Sequence, residues 1–404
     1  MPNPLPSSPP ARAGLITAVL ALLSAFPPVA TDMYLSAMDD LSHALNASDA
    51  ATEMSLSLFF LGLCVGQLIM GPLIDGFGRK GPLLAGVALF TVTSILLLLT
   101  RDVVLFNTLR FFQAIGACAG MVVGRAVVND LYKGREAARV LTLLVMLMTL
   151  GPILSPFLGS LMLTAFGWES IFGLMVALGV LAFLLARFIL PETLPVDARA
   201  PRPARRALAV ARDLLTRRGF ILPALTAALV QAAMFAFITG SSGLFQGGFG
   251  LSSTGYGLFF ALIATALLLA GKLNTRLLDR HAPAAIVGLA LPLFALAGGA
   301  LVLLSGISLL WVFAVPLWLA IGLVGLLSAN LMAIAMEAST EGAGVGSALL
   351  GGIQFSVAFL CSAGVALGGS SNGLAMALGI FLPGLMALGI WTCHCRAAAS
   401  PARG

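Results

Sequence analysis

Long apolar runs, nearly free of charge, recur along the whole chain and constrain its fold more than any other feature. A helix rising 1.5 Å per residue needs about 20 mainly apolar residues to cross the hydrocarbon core of a bilayer. Twelve stretches meet that length, at roughly 14–35, 53–74, 82–100, 103–126, 140–164, 168–190, 220–243, 255–275, 283–305, 309–335, 343–368 and 373–394. Lipid offers no hydrogen bonds, so a single spanning segment must satisfy its own backbone as a helix. The expected fold is an all-α membrane protein with twelve transmembrane helices. Only 9% of the 404 residues are charged, against about 25% in soluble domains. That excludes a large soluble domain.

The net charge is +6, but it does not indicate a nucleic-acid partner, because the bases sit in alternate loops. Arg79 and Lys80 follow the second run, and Lys133, Arg135 and Arg139 the fourth. Seven arginines from Arg199 to Arg218 follow the sixth run, and Lys272, Arg276 and Arg280 the eighth. Basic loops stay on the cytoplasmic side, which predicts an even helix count with both termini cytoplasmic. Met1 to Pro10 has neither the basic region nor the cleavage site of a signal peptide and reads as a short cytoplasmic tail. The Pro-, Ala- and Arg-rich stretch 195–219 is the longest polar segment. The expected division is a tail at 1–13, a six-helix bundle at 14–194, a cytoplasmic linker at 195–219, a second bundle at 220–395 and a tail at 396–404. Leu277-Leu278-Asp279-Arg280 is a degenerate echo of the loop after the second run. Internal repeats of this kind build secondary transporters.

That loop, Gly71 to Leu83, packs one acid, two bases and four glycines between two apolar runs. Asp75 and Arg79 are within pairing reach across a tight turn, and Gly76 and Gly78 allow backbone angles closed to other residues. A charge pair at a membrane surface can hold helix ends together and release them. Gly71, Asp75, Gly78, Arg79 and Lys80 are therefore expected to form a conformational gate.

Few polar groups lie at membrane depth, where ionisable residues are costly and usually functional. Asp32 follows Pro27-Pro28, which should kink the first helix, and Leu35, Met38, Leu41 and Leu45 continue the helical spacing beyond it. The chain has sixteen acids; all except Asp32 belong to loops or helix ends, and none of the three histidines lies mid-helix. By elimination Asp32 is the expected proton carrier. Arg110 in the fourth run needs a partner: Asp32, a substrate oxygen or the membrane surface. Tyr34, Arg110, Gln113, Met146, Phe235, Phe237 and Gln354 are candidate cavity residues, the methionines and phenylalanines suiting varied apolar ligands. Gln231 and Asn330 read as bonds between helices. Gly151, Pro152, Pro156 and Gly159 in the fifth run read as a surface for packing and bending. No catalytic set or phosphate-binding loop is visible, and Cys393-His394-Cys395 reads as tail, since adjacent ligands wrap an ion poorly.

Gly71, Leu73, Asp75, Gly78, Arg79, Lys80 and Leu83 resemble the loop between helices two and three of the major facilitator superfamily. Within it, Thr31-Asp32-Met33-Tyr34-Leu35, Arg110-x-x-Gln113, Gly167 to Phe172 and Pro191-Glu192-Thr193 are similar to the Bcr/CflA drug-resistance branch, which includes chloramphenicol and florfenicol exporters. Phe237 to Ser241 and Gly342 to Gln354 fit the branch less specifically. The chain departs from the branch at Ser36 and Ser155, where proline and glycine are usual. The resemblance implies two pseudo-symmetric six-helix bundles around a cavity that opens to one side at a time. It also implies efflux of small lipophilic or phenicol-like drugs across the bacterial inner membrane, driven by protons. Two packed bundles need no partner, so a monomer is expected, and no cofactor or metal is expected. The alternatives are a proton-driven uptake symporter and a membrane-embedded enzyme, and the latter would need a catalytic cluster.

Overall fold

The computed structural model describes residues 10–132, 134–199, 203–307, 309–339, 343–369 and 373–399. Its first span is broken into α1 (Pro10–Ser24), α2 (Phe26–Asp32), a 3-10 turn (Leu35–Ala37) and α3 (Met38–Ala44). Pro27 and Pro28 open α2 instead of bending a continuous helix. Proline has no N–H to give, and the first turn of a helix needs none. The next five helices are α4 (Asp49–Phe77), α5 (Lys80–Leu99), α6 (Val103–Leu131), α7 (Gly134–Phe166) and α8 (Glu169–Ile189). Ser48 caps α4 by accepting from Ala51 N–H at 3.3 Å, and Asp102 caps α6 by accepting from Leu105 N–H at 2.7 Å.

The stretch expected to be only a linker carries a helix, α9 (Pro203–Thr216). Six more follow: α10 (Arg218–Ser242, prolonged by a π-turn to Gly248), α11 (Ser253–Leu278), α12 (Pro283–Leu304), α13 (Leu310–Glu337), α14 (Ala343–Gly368) and α15 (Leu374–Ala399). Among the described residues, eleven segments are long and apolar enough to cross a membrane. The 33-residue α7 is the remaining long helix. Boundaries fall within a few residues of those expected, although α1 begins at Pro10 and α15 continues to Ala399, past the expected tail boundaries.

Within the first half α6 packs on α4 and α5, and α5 on α8; within the second, α10 packs on α13, α14 and α15, and α12 on α13 and α15. Small residues allow the close approach: Gly62 and Gly66 of α4 lie against Phe111 and Cys118 of α6, and Gly86 of α5 against Ala119. The halves meet along α4–α14 and α7–α11. Hydroxyls cross the first seam. Ser362 Oγ lies 2.7 Å from Ser57 Oγ and 2.7 Å from Thr239 Oγ1. Phe60 of α4 packs on Phe235 of α10, ring centroids 4.5 Å apart, and Phe235 on Phe355 of α14 at 5.8 Å. Large side chains on the outer faces, such as Leu289 and Leu303, are exposed, as lipid-facing positions must be.

Candidate functional site

The end of α2 and the middle of α6 build a polar node in the first half. Asp32 is the last residue of α2 and is 1% exposed. Among the described residues its Oδ1 accepts no hydrogen bond. Arg110 is fully buried. Its Nη2 donates to the carbonyl oxygen of Ala30 at 2.7 Å and its Nη1 to Gln113 Oε1. Its guanidinium carbon lies 4.4 Å from the ring centres of both Tyr34 and Phe59. Such sandwiching satisfies a cation in an apolar setting. Gln113 Nε2 donates in turn to Ser94 Oγ at 2.7 Å and lies 3.6 Å from Met175 Sδ, while Tyr34 and Ser55 share a hydrogen bond of 2.9 Å.

Arg110 is therefore not paired with Asp32, although both lie at the broken first span. The carbonyls of a helix's last turn have no intrahelical N–H, and Ala30 in short α2 offers one of them. The arginine takes that carbonyl and leaves the carboxylate alone.

The other candidates separate. Phe237 is fully buried and stacks on Phe260 at 4.7 Å inside the second half, so it lines no cavity between the halves. Phe235 lies on the seam, and half-buried Gln354 sits on α14 beside Phe355. The side chains of Met146 and Pro152 lie outside the described residues. Gly151 abuts Pro28, Gly159 abuts the carbonyl of Met33, and Pro156 borders Gly257 of α11. Gly151 and Gly159 thus pack against the broken span, and Pro156 against the other half. Gln231 accepts from Ser328 at 2.9 Å, and Asn330 donates to Asn274 at 2.7 Å, both as bonds between helices.

Near Asp32 the halves enclose a polar vestibule of about 370 Å³, bordered by Ser36, Asp39, Asp40, Asp49, Glu53 and Gln246. Glu53 is 3% exposed. The acids other than Asp32 are expected in loops or at helix ends, whereas Glu53 is buried in the second turn of α4. Ser55, Ser57 and Ser94 look like any small residues in a helix, and only their neighbours reveal them.

At the opposite end, Arg79 holds the loop together. Gly78 ends α4 with φ +91°, a conformation open to glycine. Arg79 then bonds Asp75 Oδ1 at 2.7 Å, Asp130 Oδ2 at 3.0 Å and the carbonyl of Ile74 at 3.1 Å. The backbone N–H groups of Arg79 and Lys80 donate to Glu192 at 2.8 and 3.2 Å, and Thr193 donates to Asp130 at 2.7 Å. Burial alone would raise the pKa of Glu192. These backbone donors, Leu194 N–H and nearby Arg199 outweigh it and hold the carboxyl below its ordinary value. Asp75 and Gly71 border a groove between α4, α9 and α14. In the echo of this loop Asp279 and Arg280 are exposed, and no ion pair joins them among the described residues.

These features define a multi-pass membrane protein of two helical halves with a buried ionisable node between two polar ends. Its sequence matches the model of the Major Facilitator Superfamily over residues 20–362, so the chain belongs to that family and is a transporter, not an enzyme. It is 30% identical to a bicyclomycin resistance protein homolog of Haemophilus influenzae, covering 84% of this chain and 85% of that one. It is 33% identical to the multidrug resistance protein MdtL of Citrobacter koseri over 59% of this chain and 60% of the other. Two solved structures share the fold: a D-xylose–proton symporter (TM-score 0.72, 15% identity, covering 94% and 97%) and a bacterial homolog of the human lysosomal transporter Spinster (TM-score 0.73, 14% identity, covering 98% and 100%).

Proposed function

We propose that this protein exports small lipophilic or phenicol-like drugs in exchange for protons, across the bacterial inner membrane, with both termini and the 195–219 linker cytoplasmic. The observation that carries the reading is Asp32: a buried carboxyl with an oxygen that accepts no hydrogen bond among the described residues, two positions after the carbonyl that Arg110 takes. A carboxyl without a fixed counter-charge can gain and lose a proton as water reaches it, since burial favours the neutral form and hydration the charged one. The resistance names of the relatives support drugs as the cargo.

In this reading the two halves, 14–194 and 220–395, rock about the node. With the vestibule side open, water protonates Asp32 and drug leaves; with the other side open, Asp32 loses its proton and drug binds. The Ser57–Ser362 contact between α4 and α14 and the Phe60–Phe235 contact between α4 and α10 are the contacts exchanged. Purified protein in proteoliposomes with an imposed pH gradient tests this. Wild type should move drug against its gradient, and a protonophore should stop it. Asp32→Asn should fold and lose the pH-driven component. Transport by Asp32→Asn at the wild-type rate would remove Asp32 as the carrier. Movement of drug together with protons would make the protein a symporter.

A further inference from the structure

The helix in the linker is not accounted for by transport. Its packed side is Leu214, partly covered Val210 and Ala211, and the cluster of Phe220, Ala224, Ala335, Leu349 and Leu350 beneath them. At 100° per residue, Leu208 and Leu215 lie one step around the helix from that side, and Arg205 and Arg212 one step further. Leu208 is 71% and Leu215 45% exposed, and both arginines are exposed. Among the described residues, neither arginine is in an ion pair, whereas Arg217 is bonded to Asp213 at 2.7 Å. Beneath this flank runs the mainly apolar groove of about 390 Å³, bordered by Leu68 and Pro72 of α4, Ala204 and Leu208 of α9, and Val345 and Leu349 of α14. Among the described residues, the one carboxylate on its border is Asp75, paired with Arg79 at 2.7 Å. The groove touches both halves.

An apolar strip beside a basic strip, on a helix directly preceding a membrane span, suits the headgroup layer of a bilayer. We propose that α9 and this groove form a binding site for one anionic glycerophospholipid. An acyl chain lies in the groove between α4 and α14, and the phosphate sits between Arg205 and Arg212. Bound there, the lipid contacts both halves and favours the arrangement in which α4 and α14 lie together.

The test counts lipids on the purified full chain by native mass spectrometry, with phosphatidylglycerol and phosphatidylcholine as probes, and needs no transport measurement. Phosphatidylglycerol should bind in preference. Each arginine is worth about fivefold in affinity at an anionic surface, so Arg205→Gln with Arg212→Gln should weaken that lipid by more than tenfold and phosphatidylcholine, whose choline cation offsets its phosphate, by much less. Arg206→Gln, on the other flank beside Asp213, should have little effect. Leu208→Ser should weaken both lipids. Equal binding of the two lipids, or no response to the double substitution, overturns the proposal. Equal competition by soluble glycerol phosphate also overturns it, because the site would then read phosphate without the chain.

Discussion

Arg110 Nη2 donates to the carbonyl oxygen of Ala30, 2.7 Å away and 80 positions earlier in the chain. That one bond fastens α6 to the broken first span, two residues before Asp32. It makes the arginine a brace for the backbone that presents the carboxyl, and it explains why the two opposite charges do not pair.

The brace has a measurable cost. Arg110→Ala should orphan the Ala30 carbonyl and one end of Gln113, at about 1–3 kcal/mol for each buried group left unsatisfied. Arg110→Lys should recover only part, because a single ammonium cannot replace the planar fork. Thermal unfolding in detergent should show the order wild type, Lys, Ala. Unchanged unfolding temperature with lost drug binding would instead put Arg110 against the substrate.

In the loop after α4, Arg79 should matter more than Asp75. The Arg79 side chain is 11% exposed and meets two carboxylates, whereas Asp75 is 55% exposed. Asp75→Asn removes a half-exposed pair worth roughly 0.2–1 kcal/mol. Arg79→Ala leaves Asp130 without its cation and should lower both transport and unfolding temperature further. The reverse order in paired measurements would mean that Asp75 acts through a partner other than Arg79.

Glu192 should give the fold an acid-sensitive limb. Its carboxyl titrates below the ordinary value of about 4.3 in the folded protein. Its stabilising contribution is therefore complete above that ordinary value and is lost as pH falls through the lower, folded one. Glu192→Gln should be less stable at neutral pH and should lose less on acidification. Parallel stability curves for the two proteins between pH 3 and 7 would dismiss this role.

Gly159 should tolerate no side chain. An added methyl would collide with the carbonyl of Met33, so Gly159→Ala should reduce expression and transport. Alanine elsewhere in a helix gains roughly 0.5–1 kcal/mol over glycine. Gly173 of α8 has open space around it, and Gly173→Ala should be neutral or stabilising. Equal behaviour of the two substitutions would show that α7 can move away from the first span.

The sequence alone determined the spans, the basic loops and the candidacy of Asp32. Hydropathy and charge are local properties, and a bilayer reads them one segment at a time. The pairing of Asp75 with Arg79 was legible for the same reason, since the two lie four positions apart. Tertiary structure decided the rest. Phe235 and Phe237 sit two residues apart on one helix, yet one meets the other half and one a core ring, because a helix turns about 200° between them. The 195–219 stretch reads as polar, and its helix shows only because Leu214 finds a pocket under it made by α10, α13 and α14. Arg110 was visible as a cation needing a partner, but the partner is a carbonyl left over by the break in the first span. Every residue has a carbonyl, and only the packed fold selects which one a side chain from another helix reaches.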